Sequence, residues 1–574
     1  MRVLLLHPED SFPSNERVGR WDLIVDFARA PASTYERWST QTACPIISIY
    51  DFAKEIDDLR FCKKLLQLGM GCLVDRYGID WWDVLSLGIV ASLLQFVLLD
   101  RLAKHIGSPC ELHATRLFPQ AEVLRKTLSC TLGTQGGRFQ SIRKQFRHYA
   151  GALANLDAAQ LSQVIQDKFD RYHAIRRGFS RRGSPSSVPV ILLPSAYVNV
   201  SRMAARYAEL LPEQQFLLVL ARRSGQLQSS PSNVRMASLD PYFGSSRDGE
   251  ARLCDEWRIL RQRLVRDDML FDAADRAGML ERVTSGLTWG LRVRDAWLNV
   301  LDMQPVVGCL CADDTNPYTR IPLLLVKNRG IPIFACHHGA LDSWMALKTF
   351  AAGFYLAKSE MERDYLIYTC NVDREKIVLG APVRPSPSQV TTERPERSWM
   401  VFFTEPYEAT GWRSEEVYRD LLPHLCSLAQ RCGLKLVFKL HPFESIKGCR
   451  KNLRRILGQK EPEIEVIAGP LTNDLWGKIR FALTVESSTA LECAAKRIPV
   501  FLCTWLRDAY SGYVRQFAKF GVGHALESPE QIADIPHLLS TQNRPASAME
   551  KTMNADTLHG LFLASDFLPS AINS

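Results

Sequence analysis

The stretch "LKLVFKLHPFES", Leu434 to Ser445, decides how the rest of the chain is read. Its apolar centre, Leu436 to Phe438 with Leu440, has the length of a strand buried on both faces of a parallel sheet, and the chain turns polar directly after it. Parallel strands need crossover connections, so one such strand commits its neighbourhood to an α/β fold. At its end His441 and Pro442 admit two readings. In the plainer one Pro442 only stops the strand and begins a turn, with His441 bonded to a nearby carbonyl. In the other the pair is the floor of a site, because open α/β sheets bind ligands beyond the carboxyl ends of their strands.

The same pattern recurs on both sides. "WMVFFTEP", "EIEVIAG", "FALTVESS" and "IPVFLCT" alternate with helical segments and predict a Rossmann-like lobe over residues 386–540. Before it, "APVRPSPSQVTTERPERS" (Ala381 to Ser398) reads as a linker. Upstream, "VPVILLPS", "QFLLVLAR", "PVVGCLCADD", "IPIFACHHG" and "GFYLAKS" predict a second Rossmann-like lobe over 181–385, set off by the break "RRGFSRRGSPSSVP". Residues 1–52, with "RVLLLHP", "WDLIVDFA" and "CPIISIYDF", are expected to supply the first strands of that N-terminal lobe. A mainly helical pattern over 53–180 reads as an insertion, and 541–574 as a tail packing back on the N-terminal lobe. The fold class is α/β, with two Rossmann-like lobes facing a cleft.

Composition sets the outer bounds. A chain of 574 residues exceeds one ordinary core, and 46% apolar with 23% charged residues is a globular composition. A net charge of +9 fits an anionic small-molecule substrate or a weak peripheral contact with an anionic membrane surface, and calls for no nucleic acid. Fifteen cysteines lie singly, without CxxC spacing, which reads as reduced buried thiols in a cytoplasmic protein. "MRVLLLHPED" carries too short an apolar run for a signal peptide. "VLSLGIVASLLQFVLL", Val84 to Leu99, falls short of the roughly 20 residues that span a bilayer, so it reads as a buried core helix.

Four strand-end clusters can carry chemistry: "HPED" (His7 to Asp10), "CHHGALD" (Cys336 to Asp342), "TEPYE" (Thr404 to Glu408) with "KLHP" (Lys439 to Pro442), and "VESSTALE" (Val485 to Glu492). Ser487 and Ser488 open a helix after Glu486; they serve as N-caps or, with exposed amides and the positive helix end, as an anion cradle. With Lys439 and His441, and with Thr404 and Glu405, they sit at strand ends of one inferred sheet and converge on a phosphate. In "CHHG" neighbouring residues face opposite ways, so one of His337 and His338 points to the cleft. There it can act as a general base, donate to a phosphate or serve only structure. Asp10 and Glu9 are the acidic alternatives for the base. The pair Asp313–Asp314 in "DDTNP" can be a metal site, but a strand end followed by a turn favours an Asx turn and helix cap; no metal and no cofactor is expected.

His441-Pro442, followed by Ser487-Ser488 with Thr489, and preceded by His338-Gly339, "YLAKSEMERDYL" and "KIVLGAPV", resembles the GT-B glycosyltransferase superfamily. More narrowly, the motifs resemble bacterial sialyl- and polysialyltransferases, capsule Kdo transferases and the CDP-glycerol polymerases of teichoic acid synthesis. The likeness runs from about Val188 to Ala533. It implies a GT-B-like fold with 181–385 as acceptor lobe and 386–540 as donor lobe. His441 and Ser487/Ser488 would hold the phosphate and ribose of a cytidylate, and His338 would be the base or an acceptor-site residue. The activity implied is transfer of a sugar from a nucleotide-linked, CMP-type donor to a glycan or lipid-linked glycan in surface polysaccharide synthesis, at the inner face of the cell membrane. Two other classes compete: a nucleotide-sugar 2-epimerase, which needs further strand-end carboxylates, and a non-catalytic assembly protein that kept the fold.

Overall fold

The computed structural model describes residues 1–10, 12, 21–53, 58–134, 187–222, 225–227, 229–244, 250–276, 278–313, 317–338, 353–382, 397–441, 444–458, 464–469, 471–507, 513–541 and 553–564. Within them lie three parallel sheets. The first orders β1 (Arg2–Leu6), β2 (Leu23–Asp26), β3 (Ile46–Ser48), β4 (Glu111–Ala114) and β5 (Thr131–Thr134) as β3-β2-β1-β4-β5. The second is built from β6 (Val190–Ser195), β7 (Phe216–Leu220), β8 (Val234–Ser238), β9 (Val306–Cys311), β10 (Ile333–Ala335), β11 (Phe354–Ala357) and β12 (Ile377–Leu379), in the order β12-β11-β10-β9-β6-β7-β8. The third runs β15-β14-β13-β16-β17-β18, from β13 (Trp399–Phe403), β14 (Lys435–Lys439), β15 (Glu465–Ile467), β16 (Ile479–Thr484), β17 (Val500–Cys503) and β18 (His524–Leu526).

The α/β class and the two consecutive Rossmann-like lobes agree with the reading of the sequence. Runs such as Val190–Ser195 and Trp399–Phe403 are buried at every position, as strands covered by helices on both faces must be. The N-terminal region differs. β1, β2 and β3 do not open the sheet that begins at Val190; they pair with β4 and β5 in a sheet of their own. Those two partners lie in the stretch expected to be a helical insertion. Each is only four residues long, "ELHA" and "TLGT", without the apolar run that marks the other strands.

Between the first two sheets lies the helix Trp81–Ile106, and its apolar surface explains the separation. Asp80 caps its start, accepting the Trp82 N–H at 3.0 Å, and Gly107 ends it at φ 68°. Trp81, Trp82, Leu93 and Leu102 share one core with Val3 and Val25 of the first sheet and Val190 and Leu217 of the second. A helix with so broad an apolar surface needs cover from more than one side. Arg320 to Asp83 (2.8 Å) and Arg294 to Asp75 (2.9 Å) are buried ion pairs that tie this layer together. Among the described residues no helix is long and apolar enough to cross a membrane.

The second and third lobes share a core that includes Tyr355, Met361 and Tyr365 on one side and Trp399, Val401 and Phe517 on the other. Asp364 adds bonds to Gln516 (3.0 Å) and Lys519 (3.2 Å). The helix Ala555–Ala564 lies on the second sheet, with Phe562 and Phe334 ring centroids 4.2 Å apart.

Candidate functional site

Each sheet reverses its strand order once: between β1 and β4, between β6 and β9, and between β13 and β16. The crevice beyond the carboxyl ends at such a reversal is where open α/β sheets hold ligands. The three crevices are filled differently.

In the third sheet the reversal gathers residues from β13, β14 and β16. Thr404, just past β13, receives a hydrogen bond from the His441 N–H at 3.1 Å, and its own N–H donates to the Lys439 carbonyl at 3.0 Å. Glu444, not singled out from the sequence, closes the loop after β14. Its carboxylate accepts from the Thr404 hydroxyl, the His441 N–H (3.1 Å) and the Tyr418 hydroxyl (3.2 Å). The local reason is a tight turn after a buried strand, where side chains satisfy amides that no strand partner reaches. Burial raises the Glu444 pKa despite these bonds. Burial also lowers Lys439, against the pull of Glu444 and Glu492, and lowers His441, with Lys439 adding to the effect. Burial disfavours charge on both groups, and an incoming anion would favour it again. Pro442 lies outside the described residues.

Across the reversal, Glu405 accepts the Glu486 N–H, and burial pushes its carboxyl up to about 8. The two serines that follow divide the roles that the sequence left open. Ser488 holds the N-cap position without a side-chain cap bond, and Ser487 caps in its place: its hydroxyl accepts the Thr489 N–H at 3.2 Å and lies 2.9 Å from the Thr489 hydroxyl. Ser488 is exposed, and neither its N–H nor its hydroxyl makes a hydrogen bond among the described residues. The helix Thr489–Ala495 spans only seven residues, so its macrodipole adds little. The donors gathered here are Ser488, His441 and Lys439, whose Nζ also donates to the Leu440 carbonyl at 2.8 Å.

On the neighbouring strand end sits Arg507, which the sequence reading missed. It follows β17 and the turn Thr504–Leu506, and its Nε and Nη2 are buried without a hydrogen-bond partner among the described residues. The available signal was "TWLRD" directly after the apolar run "IPVFLCT".

In the second sheet His337, almost fully buried, and His338 follow β10. Their rings stack at 4.9 Å between centroids. His338 Nδ1 lies 3.2 Å from the Ala312 carbonyl, beside the β6/β9 reversal. A carbonyl only accepts, so Nδ1 carries the proton and Nε2 of a neutral ring carries the lone pair. That is the state required of a general base. Asp313 is buried, and its carbonyl accepts from the Thr319 hydroxyl; Asp314 and Gly339 lie outside the described residues.

In the first sheet Asp10 follows β1, on a different sheet from both histidines. Arg116, beyond β4, holds it through Nε at 3.1 Å and through Nη2, and holds Glu9 at 2.9 Å. This ion pair spans the β1/β4 reversal, and Arg413 from the third lobe covers it, donating to the carbonyls of His7, Pro8 and Asp10. As a base Asp10 would have to leave Arg116.

No family model matches the chain, and no curated protein matches it. Among solved structures, a UDP-N-acetylglucosamine 2-epimerase from Listeria monocytogenes is similar at 12% identity and TM-score 0.43, over 65% of this chain and 95% of that one. A UDP-GlcNAc 2-epimerase from Methanocaldococcus jannaschii, in complex with UDP-GlcNAc and UDP, is similar at 11% and 0.39, over 66% and 99%. A wall teichoic acid polymerase is similar at 11% and 0.37, over 75% and 98%. At such identities and scores the functional reading rests on this chain's own residues.

Proposed function

We propose that the protein is a sugar-nucleotide-dependent glycosyltransferase whose donor nucleotide sits at the β13/β16 reversal. The observation that carries this reading is the convergence there of Thr404, Lys439 and His441 with Glu405, Glu486 and Ser488, on one carboxyl edge of one sheet. The donor class favoured by the His441-Pro442 and Ser487-Ser488 resemblance is CMP-linked. The acceptor, a glycan or lipid-linked glycan of surface polysaccharide synthesis, would meet His338 on the second lobe. A peripheral contact with an anionic membrane surface accords with the net charge of +9.

The step is a single displacement. His338 Nε2 takes the acceptor hydroxyl proton as the acceptor oxygen bonds to the anomeric carbon. The bond from that carbon to the phosphate oxygen breaks, and its electron pair leaves on the phosphate. Lys439, His441 and the Ser488 hydroxyl and N–H offset the charge that develops there, which is where preorganised donors lower a barrier most. No part of this route passes through a metal or a cofactor.

One observation favours a second reading, the 2-epimerase. Glu405 and Glu444 are strand-end carboxyls with raised pKa values, as proton abstraction requires. Thermal shifts with CMP, CDP and UDP separate the classes. A rise of several degrees with cytidine nucleotides alone supports the transferase; a rise with UDP alone supports the epimerase. No rise with any of them leaves the non-catalytic assembly role. A donor screen by mass spectrometry for CMP release from CMP-sialic acid, CMP-Kdo or CDP-glycerol then identifies the sugar.

A further inference from the structure

Arginines at the ends of strands in this chain present one edge of the guanidinium, Nε with Nη2, to a carboxylate. Arg413 sets that edge on Asp26 at 2.8 and 2.6 Å, and Arg116 sets it on Asp10. Arg294, on the helix Met279–Met303, sets the same two nitrogens on a single oxygen, Asp295 Oδ1, at 2.9 and 2.7 Å. This edge holds two parallel N–H bonds that match the paired oxygens of a carboxylate or phosphate. In Arg507 the same two nitrogens are buried and empty. Glu486 and Glu527 lie close enough to attract the guanidinium and Arg515 close enough to repel it, yet neither acid receives a bond from that edge. Burial and Arg515 together press its pKa down. An unpaired buried donor costs about 1–3 kcal/mol, so Arg507 is a poor structural residue and a good receptor.

From this geometry we infer that Arg507 is an oxyanion-binding residue, gripping a two-oxygen anionic group of the substrate at the ends of β16 and β17. The position deepens the donor-site reading and rests on it: Arg507 adjoins the Ser488 strand end, whereas Lys439 and His441 lie on the far side of β13. The site thus has two cationic stations, separated by three strand spacings of about 4.8 Å each. That span accommodates a donor with two anionic parts. The second part is a further phosphate or the carboxylate of an acidic sugar, and both present the same pair of oxygens.

The test is calorimetric titration of the full chain with inorganic pyrophosphate, cytidine, CMP and CMP-sialic acid. Arg507→Gln and Arg507→Lys are compared with the wild type. Arg507→Gln should weaken the binding of pyrophosphate, of CMP-sialic acid or of both by about 10- to 100-fold, leave cytidine and CMP unchanged and leave the unliganded melting temperature within about 2 °C. Arg507→Lys, with the charge but without the fork, should recover part of the loss. Loss for CMP-sialic acid with CMP unaffected also supports the inference and assigns the group to the sugar carboxylate. If the wild type binds pyrophosphate through Arg507 but takes no nucleotide, the oxyanion site stands and the nucleotide reading fails. Equal affinities for every ligand in wild type and Arg507→Gln would overturn the inference and leave the nucleotide reading intact. Wild type binding none of the four would overturn both. A fall in unliganded melting temperature beyond about 5 °C in both variants would show Arg507 to be structural instead.

Discussion

The first and third sheets obey the same topological rule and reach opposite outcomes. At the β1/β4 reversal the chain fills its own crevice. Asp10 pairs with Arg116, and Arg413 arrives from the third lobe with every nitrogen engaged, by Asp26 and three main-chain carbonyls. The docking continues in main-chain bonds, Arg29 N–H to Gly411 O and Arg413 N–H to Arg29 O at 2.8 Å each, and in contacts of Ser33 with Asp420 and Arg37 with Glu416. At the β13/β16 reversal, among the described residues, the Ser488 N–H and hydroxyl and the Arg507 Nε and Nη2 make no hydrogen bond. A crevice filled by the protein's own charges is a joint; one left short of charge is a site. The first sheet therefore acts as a brace, fused to the second lobe through the helix Trp81–Ile106 and pinned to the third through Arg413.

Breaking the brace should give the largest effect. Arg413→Ala leaves Asp26, which is fully buried, without its cation, and should cost about 3–5 kcal/mol in urea unfolding. A midpoint unchanged from wild type would mean that the first sheet is not pinned there. Removing the base comes next. His338→Ala should abolish turnover while the donor dissociation constant stays within about twofold, read by titration. Near wild-type turnover would move the base elsewhere.

The open crevice should answer differently to its two serines. Ser488→Ala and His441→Ala should each raise the CMP dissociation constant by about 10-fold without lowering the melting temperature. Ser487→Ala should instead cost about 1 kcal/mol of stability, because it removes a cap. Identical behaviour of the two serine variants would dissolve the division of roles.

The smallest effect concerns pH. Glu405 has a folded pKa of about 8, raised by burial, against about 4.3 for an exposed glutamate. The folded state thus holds a proton that the unfolded state has released, so the contribution is complete below about pH 4.3 and declines as pH rises through 8. Glu405→Gln, which keeps an oxygen for the Glu486 N–H, should flatten the fall in melting temperature between pH 5 and 8 and raise it at pH 8 by about 2–4 °C. A pH profile parallel to that of wild type would show that Glu405 titrates normally.

Much of this was legible beforehand, for particular reasons. The strands of the second and third sheets announce themselves because a strand covered on both faces must be apolar throughout. The helix Trp81–Ile106 was readable as a core element because its apolar run stops short of a bilayer's thickness. β4 and β5 were not legible: four-residue strands such as "ELHA" and "TLGT" take their conformation from the ladder beside them. Glu444 and Arg507 were passed over because charged residues in loops are common, and nothing local tells a solvated one from a buried one.

By itself, then, the sequence determined the α/β class, the alternation of strand and helix, and the polar strand ends from which sites are made. Each follows from local periodicity and from which residue types tolerate burial. Only the tertiary structure decided which strand ends meet, that the N-terminal strands form a third sheet, and that Arg413 is satisfied while Arg507 is not. Those outcomes depend on partners hundreds of residues away, and an arginine's character is set by what stands opposite its guanidinium.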